Sequence, residues 1–109
     1  MHQEHCRQWI RALRSGKYAQ GRLMLITTEG KYCCLGVGCE EALKNGAEVN
    51  QTLMGDVYAY NSRTAYMPNT ISKYYDIDEF FQKTLTDLND IKLKTFNEIA
   101  DFIEAELNR

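Results

Sequence analysis

The chain has 109 residues, of which 44% are hydrophobic and 26% are charged, and its formal net charge at pH 7 is −2. This length fits a single domain over residues 1–109. The negative net charge argues against a protein that coats DNA or RNA duplexes, and no apolar run of about 18 residues is present to span a membrane. The first residues lack the apolar stretch of a signal peptide, so we expect a cytoplasmic protein.

The charge is distributed unevenly along the chain. Residues 1–31 hold six basic and two acidic side chains, a net charge of +4, whereas residues 76–109 hold four basic and nine acidic ones, a net charge of −5. We expect these two parts to pack against each other, or against another copy of the chain, with solvated outer faces.

The N-terminal segment has the period of an amphipathic helix that ends at Ser15-Gly16. Its apolar side chains recur at i, i+3, i+4 and i+7, at Cys6, Trp9, Ile10 and Leu13. A neighbouring face carries a basic stripe, formed by Arg7, Arg11, Arg14 and Lys17.

The period changes after this helix. A β-hairpin is predicted over residues 22–36, with strands at about 23–27 and 31–35 around the turn dipeptide Glu29-Gly30. A short helix follows after Gly36 and is stopped by Asn45-Gly46. Short strands are predicted at about 55–66, where the sequence is least periodic and rich in tyrosine.

The C-terminal half is predicted to be helical. Pro68 opens a short helix that continues to about Tyr75. Two longer helices follow, one ending at Asn89-Asp90 and one opened by a capping box at Thr95. The predicted class is α+β, a small antiparallel sheet packed with an N-terminal helix, two short middle helices and two C-terminal helices.

Three of the four cysteines lie within "KYCCLGVGCE", residues 31–40. Adjacent Cys33 and Cys34 would point to opposite faces of a strand, so they do not make a zinc knuckle. A disulfide is disfavoured in the cytoplasm, and the only histidines that could activate a thiol are near the N-terminus. We therefore predict that the cysteines are core residues, with no metal and no cofactor.

Two segments carry side chains suited to binding a phosphate and a base. "ALRSGKYAQGR" places Arg14, Lys17, Tyr18 and Gln20 just after the first helix, and a solvated loop with a glycine cap is the alternative. "TLTDLNDIKLKTF" offers Asn89 and Thr95, for which helix caps and turns are the alternative. Tyrosines 58, 60 and 66 form either a stacking surface or a half-buried part of the sheet.

Three segments together resemble a family of small bacteriophage proteins. They are "WIRALRSGKYAQG", "GKYCCLGVGCE" and "LTDLNDIKLKTFNEIADFIE", against the family patterns W-x-x-A-L-R-S-G-x-Y-x-Q, Y-C-C-L-G-V, L-x-x-L-N-D and T-F-x-x-I-A-D-x-I-E. The resemblance runs from about Trp9 to Glu104. The chain departs from the family at Arg22-Leu23, where a G-x-L pattern is commoner, and in its short middle section.

The family resembles phage anti-CBASS sponges, which bind a host cyclic dinucleotide such as 3′,3′-cGAMP without cleaving it. The resemblance implies a homotetramer in the host cytoplasm, with ligand at subunit contacts. On this interpretation phosphates are held by Arg14, Lys17 and either Arg63 or Lys94. Bases stack on Tyr18 or Tyr60, and Gln20, Asn89 and Thr95 read base edges or ribose. The alternatives are an enzyme that degrades such a nucleotide and an adaptor that docks on a host protein through the basic helix face.

Overall fold

The structure, a computed structural model, describes all of residues 1–109 and contains five α-helices and one two-stranded antiparallel sheet. In chain order the elements are α1 (Gln3–Arg14), α2 (Cys34–Lys44), β1 (Gln51–Met54), β2 (Val57–Tyr60), α3 (Asn69–Tyr75), α4 (Glu79–Asp90) and α5 (Phe96–Leu107). The predicted α+β class, with one N-terminal and two C-terminal helices, is confirmed.

Helix α1 packs along α5 through the apolar stripe that its sequence predicts. Its N-terminus is capped by His2, whose Nδ1 accepts a hydrogen bond of 3.1 Å from the backbone N–H of His5. Trp9 is fully buried, and its indole N–H donates to the carbonyl oxygen of Cys34 at 3.0 Å. This bond joins α1 to the start of α2 inside the core.

The predicted hairpin over residues 22–36 is not formed as two regular strands. The segment is an irregular loop with one antiparallel bridge between Ile26 and Tyr32, and α2 begins at Cys34 rather than after Gly36. Residues 34–39 are buried on all sides of the helix, and a short run of this kind has no period that separates helix from strand. The helix starts here because the Cys33 thiol accepts the N–H of Gly36 at 3.4 Å.

Helix α2 crosses the core closely because two of its residues have no side chain. A Cβ at Gly36 would lie 1.8 Å from the carbonyl oxygen of Leu25, and one at Gly38 would lie 2.6 Å from Cε of Met67. The loop at Leu25 and the segment before α3 can therefore approach the helix backbone directly.

The sheet begins slightly earlier than predicted. In β1 and β2, Gln51 lies opposite Tyr60 and Met54 opposite Val57, with Gly55 at φ +62° in the connecting turn. The hairpin is attached to the core through Tyr60, which is fully buried and donates its hydroxyl to Oε1 of Glu40 at 2.8 Å.

The C-terminal half follows the predicted pattern. Pro68 precedes α3, which ends at Tyr75, and α5 opens with the predicted capping box at Thr95. The segment before α3 is tied to α4, because buried Gln82 accepts a hydrogen bond of 3.0 Å from the backbone N–H of Met67. None of the five helices is long and apolar enough to cross a membrane.

All four cysteines are free and buried, as predicted. Burial raises the pKa of Cys6 and of Cys33 to about 11, and it raises the pKa of Cys34 and Cys39 well above the ordinary thiol value. These thiols stay protonated near neutral pH and serve as small apolar side chains.

Candidate functional site

A cleft of about 300 Å³ lies where the segment after α1 meets the start of α5. Its lining comprises Leu13, Arg14, Gly16, Tyr18, Gln20, Thr95, Phe96 and Asn97. Four of the nine predicted site residues therefore border one cleft. We refer to it below as the α1–α5 cleft.

The cleft is held together by the buried amide of Asn89. Its Oδ1 accepts hydrogen bonds from Nε2 of Gln20 at 2.9 Å and from the backbone N–H of Cys34 at 3.2 Å. Its Nδ2 donates to the carbonyl oxygen of Gly21 at 2.9 Å and to Oδ1 of Asp90 at 2.8 Å. Asn89 is fully buried, so its side chain does not line the cleft but fixes the loop that does.

Gln20 is the polar side chain that this arrangement presents to the cleft. Its Nε2 donates both to Asn89 and, at 2.8 Å, to the carbonyl oxygen of Lys94. Both N–H bonds of the amide are thus used within the chain, and Oε1 has no partner there. Gln20 consequently offers a ligand a fixed hydrogen-bond acceptor.

The other wall of the cleft is the N-terminus of α5. Thr95 Oγ1 accepts the N–H of Glu98 at 3.2 Å, and Glu98 Oε1 accepts the N–H of Thr95 at 3.0 Å. The hydroxyl and the backbone N–H of Thr95 are therefore both used in the capping box. The backbone N–H groups of Phe96 and Asn97 have no acceptor within the chain. Unpaired N–H groups and the helix dipole favour an anion at this position.

Arg14 borders the cleft but is already paired. Its guanidinium donates to Oδ1 of Asp101 at 2.7 Å and to Oε1 of Glu104 at 3.1 Å, both on α5. These ion pairs connect the basic and acidic ends of the chain, one of the two arrangements that the charge distribution predicts. A phosphate at Arg14 would have to compete with two carboxylates.

The ring of Tyr18 is half-buried and fixed in orientation. Its hydroxyl donates to Oε2 of Glu41 at 2.5 Å and accepts from Nζ of Lys44 at 3.0 Å. Burial, followed by the hydrogen bond to the Glu41 carboxylate, raises the pKa of Tyr18, so the phenol remains neutral. The ring also meets Tyr32 edge-on, with 4.9 Å between the centroids.

Two exposed lysines flank this region. Lys94 immediately precedes Thr95, and its Nζ lies 3.9 Å from Oε2 of Glu98. Lys17 lines a neighbouring polar cleft of about 360 Å³ together with Arg11 and Glu41. The segment 15–20 thus contributes alternate residues to two clefts.

The structure does not bring Tyr60 or Arg63 into the α1–α5 cleft. Tyr60 is fully buried, so its ring is not available for stacking at the surface. Arg63 lines a separate cleft with Tyr66 and Phe80.

Sequence patterns missed Phe96 and Asn97 as cleft residues. Phe96 belongs to the apolar stripe of α5, and Asn97 is an exposed residue of the first turn, so neither carries a motif of its own. The available signal was the capping box, because the residues after an N-cap expose their backbone N–H groups.

Comparison with known proteins gives a family but no relative of known activity. No curated protein and no solved structure matches the chain. A family model described as "Domain of unknown function (DUF8296)" matches residues 1–107, nearly the whole sequence. The match includes both walls of the α1–α5 cleft as well as the "YCCLGV" segment. The chain therefore belongs to the DUF8296 family.

Proposed function

We propose that the chain is a phage protein that binds a host cyclic dinucleotide of the 3′,3′-cGAMP kind. It sequesters this ligand intact in the host cytoplasm, which blocks activation of CBASS effectors. The observation that carries the proposal is the composition of the α1–α5 cleft. Unpaired N–H groups, a fixed amide acceptor and an aromatic ring border the same space. These are the groups that recognise a phosphate, a ribose or base edge, and a base, respectively.

The phosphate is placed at the start of α5. The N–H groups of Phe96 and Asn97 act as donors, and Lys94 supplies a nearby positive charge. Arg14 holds the wall of the cleft to α5 through Asp101 and Glu104 and is not assigned to the phosphate. This assignment differs from the first expectation, in which Arg14 and Lys17 hold the phosphates directly.

The base and the ribose are placed between Tyr18 and Gln20. The exposed part of the Tyr18 ring provides a surface for a base, and stacking of this kind is worth about 1–3 kcal/mol per base. Oε1 of Gln20 accepts a hydrogen bond from a base N–H or a ribose hydroxyl. Both side chains are held by the chain before a ligand arrives, which lowers the entropy cost of binding.

The size of the cleft requires a second copy of the chain. A volume of about 300 Å³ is at the lower limit for small-molecule sites and accommodates one nucleotide rather than two. A cyclic dinucleotide contains two nucleotides, so two facing copies of the cleft complete the site. The proposed homotetramer then contains two such pairs.

Exposed apolar side chains lie beside the cleft and suit this contact. Leu23, Ile91 and Leu93 are 76%, 73% and 58% exposed. Leu23 and Leu93 adopt φ values of +73° and +54°, which are unfavourable for leucine. Leu23 is held in place by a hydrogen bond of 3.1 Å from its N–H to Oδ1 of Asp90. We assign this apolar patch to the contact between copies.

One experiment separates binding from turnover. The protein is incubated with a panel of cyclic nucleotides, washed and denatured by heat, and the released compounds are identified by mass spectrometry. Recovery of intact 3′,3′-cGAMP is the expected result. Recovery of a linear product would contradict the proposal and indicate an enzyme that degrades the nucleotide. If no nucleotide is retained, the proposal is also wrong, and an adaptor that binds a host protein is indicated instead.

A further inference from the structure

A second cleft, of about 390 Å³, lies between the segment that follows β2 and the exposed face of α4. It is lined by two cations, two aromatic rings and one carboxylate, namely Arg63, Lys83, Tyr66, Phe80 and Glu79. We infer that this cleft binds a nucleoside 5′-monophosphate, with the phosphate between the cations and the base against the rings. The inference is independent of the function proposed for the α1–α5 cleft.

The aromatic side chains are unusually accessible. Phe80 is 78% exposed and Tyr66 is 40% exposed, and neither ring is paired with another aromatic side chain. A single exposed apolar side chain is ordinary, but here two accessible rings line the same cleft as two cations. Rings in this position can stack on a planar base without first losing an aromatic partner in the chain.

The charged side chains give the cleft a net charge of +1. The lining contains two positive side chains, Arg63 and Lys83, and one negative side chain, Glu79. Neither cation lies within ion-pair distance of a carboxylate in the chain. Unlike Arg14, these cations do not have to leave an internal partner to bind an anion. A guanidinium and an ammonium at one cleft match a phosphate.

The walls of the cleft are fixed by the backbone. Tyr60 and Arg63 exchange backbone hydrogen bonds of 2.9 and 3.0 Å across a two-residue turn. Asn61 and Ser62 occupy that turn with φ values of +49° and +68°. Four residues after Arg63, the hydrogen bond between Met67 and Gln82 ties the same segment to α4.

These constraints set where the backbone presents the binding side chains. The turn at residues 60–63 places Arg63, and the tie to Gln82 places Tyr66 beside the α4 residues Phe80 and Lys83. Backbone strain of the kind found at Asn61 and Ser62 is kept where the surrounding structure needs it. The backbone of both cleft walls is thus fixed before a ligand arrives.

The test is a titration followed by ¹H–¹⁵N NMR, with adenosine 5′-monophosphate, adenosine and ribose 5-phosphate as separate probes. We expect saturable shifts at the amides of Arg63, Tyr66, Phe80 and Lys83 with adenosine 5′-monophosphate, and weaker binding of the other two probes. Absence of saturable shifts, shifts confined to the α1–α5 cleft, or equal binding of ribose 5-phosphate would overturn the inference.

Four variants give the matched comparison. Phe80→Ala is expected to weaken the binding of adenosine 5′-monophosphate at least about fivefold, in line with the loss of one stacking contact. Lys83→Gln should lower the affinity for this nucleotide, and Glu79→Gln should raise it. The control Lys73→Gln, which alters an exposed lysine on α3, should leave the affinity unchanged. Wild-type affinity in the folded Phe80→Ala protein would contradict the site; the side chain is exposed, so the substitution leaves the core intact.

Discussion

The side chain of Asn89 bonds to residues that are distant in sequence. Its partners include Gln20, Gly21 and Cys34, which are 69, 68 and 55 positions away. The sequence singled out Asn89 as a polar residue at a helix end, but the local pattern gives no sign of these partners. Its role as a buried support for Gln20 could be found only from the folded chain.

At Gly36, the absence of a side chain is a requirement of the fold. Gly36→Ala should lower the free energy of unfolding by about 3 kcal/mol, because the added Cβ would overlap the backbone of Leu25. Urea denaturation measures the change. The control is Gly46→Ala, where a Cβ meets no neighbour and only φ of +94° opposes it, at a cost of about 1–2 kcal/mol. Equal losses in the two variants would show that the close approach at Gly36 does not govern stability.

Among the elements, those with one apolar face were predictable. Helices α1, α4 and α5 each have one buried stripe, so their period identified them from the sequence. Helix α2 was assigned to a strand in its first residues because it is buried on all sides and has no such stripe. The strands β1 and β2 were displaced by a few residues because β1 is exposed along its length and carries no apolar alternation.

The contact between α1 and α5 is expected to depend on pH through Glu104. The hydrogen bond from Arg14 and its positive charge lower the pKa of this carboxyl below the ordinary value of 4.5. A lowered folded-state pKa means that the ion pair stabilises the protein above pH 4.5, and that this contribution is lost as the pH falls through the folded pKa.

The comparison of wild-type protein with Glu104→Gln tests this dependence. Denaturation at a series of pH values should show wild type more stable than the variant near neutral pH, with the difference vanishing in acid. Glu48→Gln, at an exposed residue with no ion-pair partner, serves as the control and should parallel wild type throughout. A difference between Glu104→Gln and wild type that is constant with pH would contradict the ion-pair account.

At the scale of the whole molecule, the opposite charges of the two ends account for a contact within the chain but not for the exposed apolar side chains. Arg14 joins them within the chain, but the apolar patch formed by Leu23, Ile91 and Leu93 has no partner there. The sequence predicted the α+β class and most of the helices, whereas it placed residues from three separate clefts into one site. Arg63 and the residues of the α1–α5 cleft lie in different clefts, and no pattern in the sequence indicates this separation.

The proposed contact between copies predicts the behaviour of a double variant. Ile91→Asp/Leu93→Asp should convert a homotetramer into a smaller species, because it places two charges in an apolar interface. Light scattering after size-exclusion chromatography measures the mass. Leu53→Asp, which alters a residue of β1 that is 62% exposed, should leave the tetramer intact. A monomeric wild-type protein, or a tetramer that survives the double substitution, would contradict the assignment of the patch.

The most direct test of the proposed function is a calorimetric titration of 3′,3′-cGAMP into wild type, Lys94→Gln and the control Lys92→Gln. Both lysines are exposed, but only Lys94 adjoins the start of α5 at the cleft. We expect one ligand to bind for every two copies of the chain, with an affinity at least about fivefold weaker in Lys94→Gln and unchanged in Lys92→Gln. No binding by wild type, or equal loss in the two variants, would contradict it.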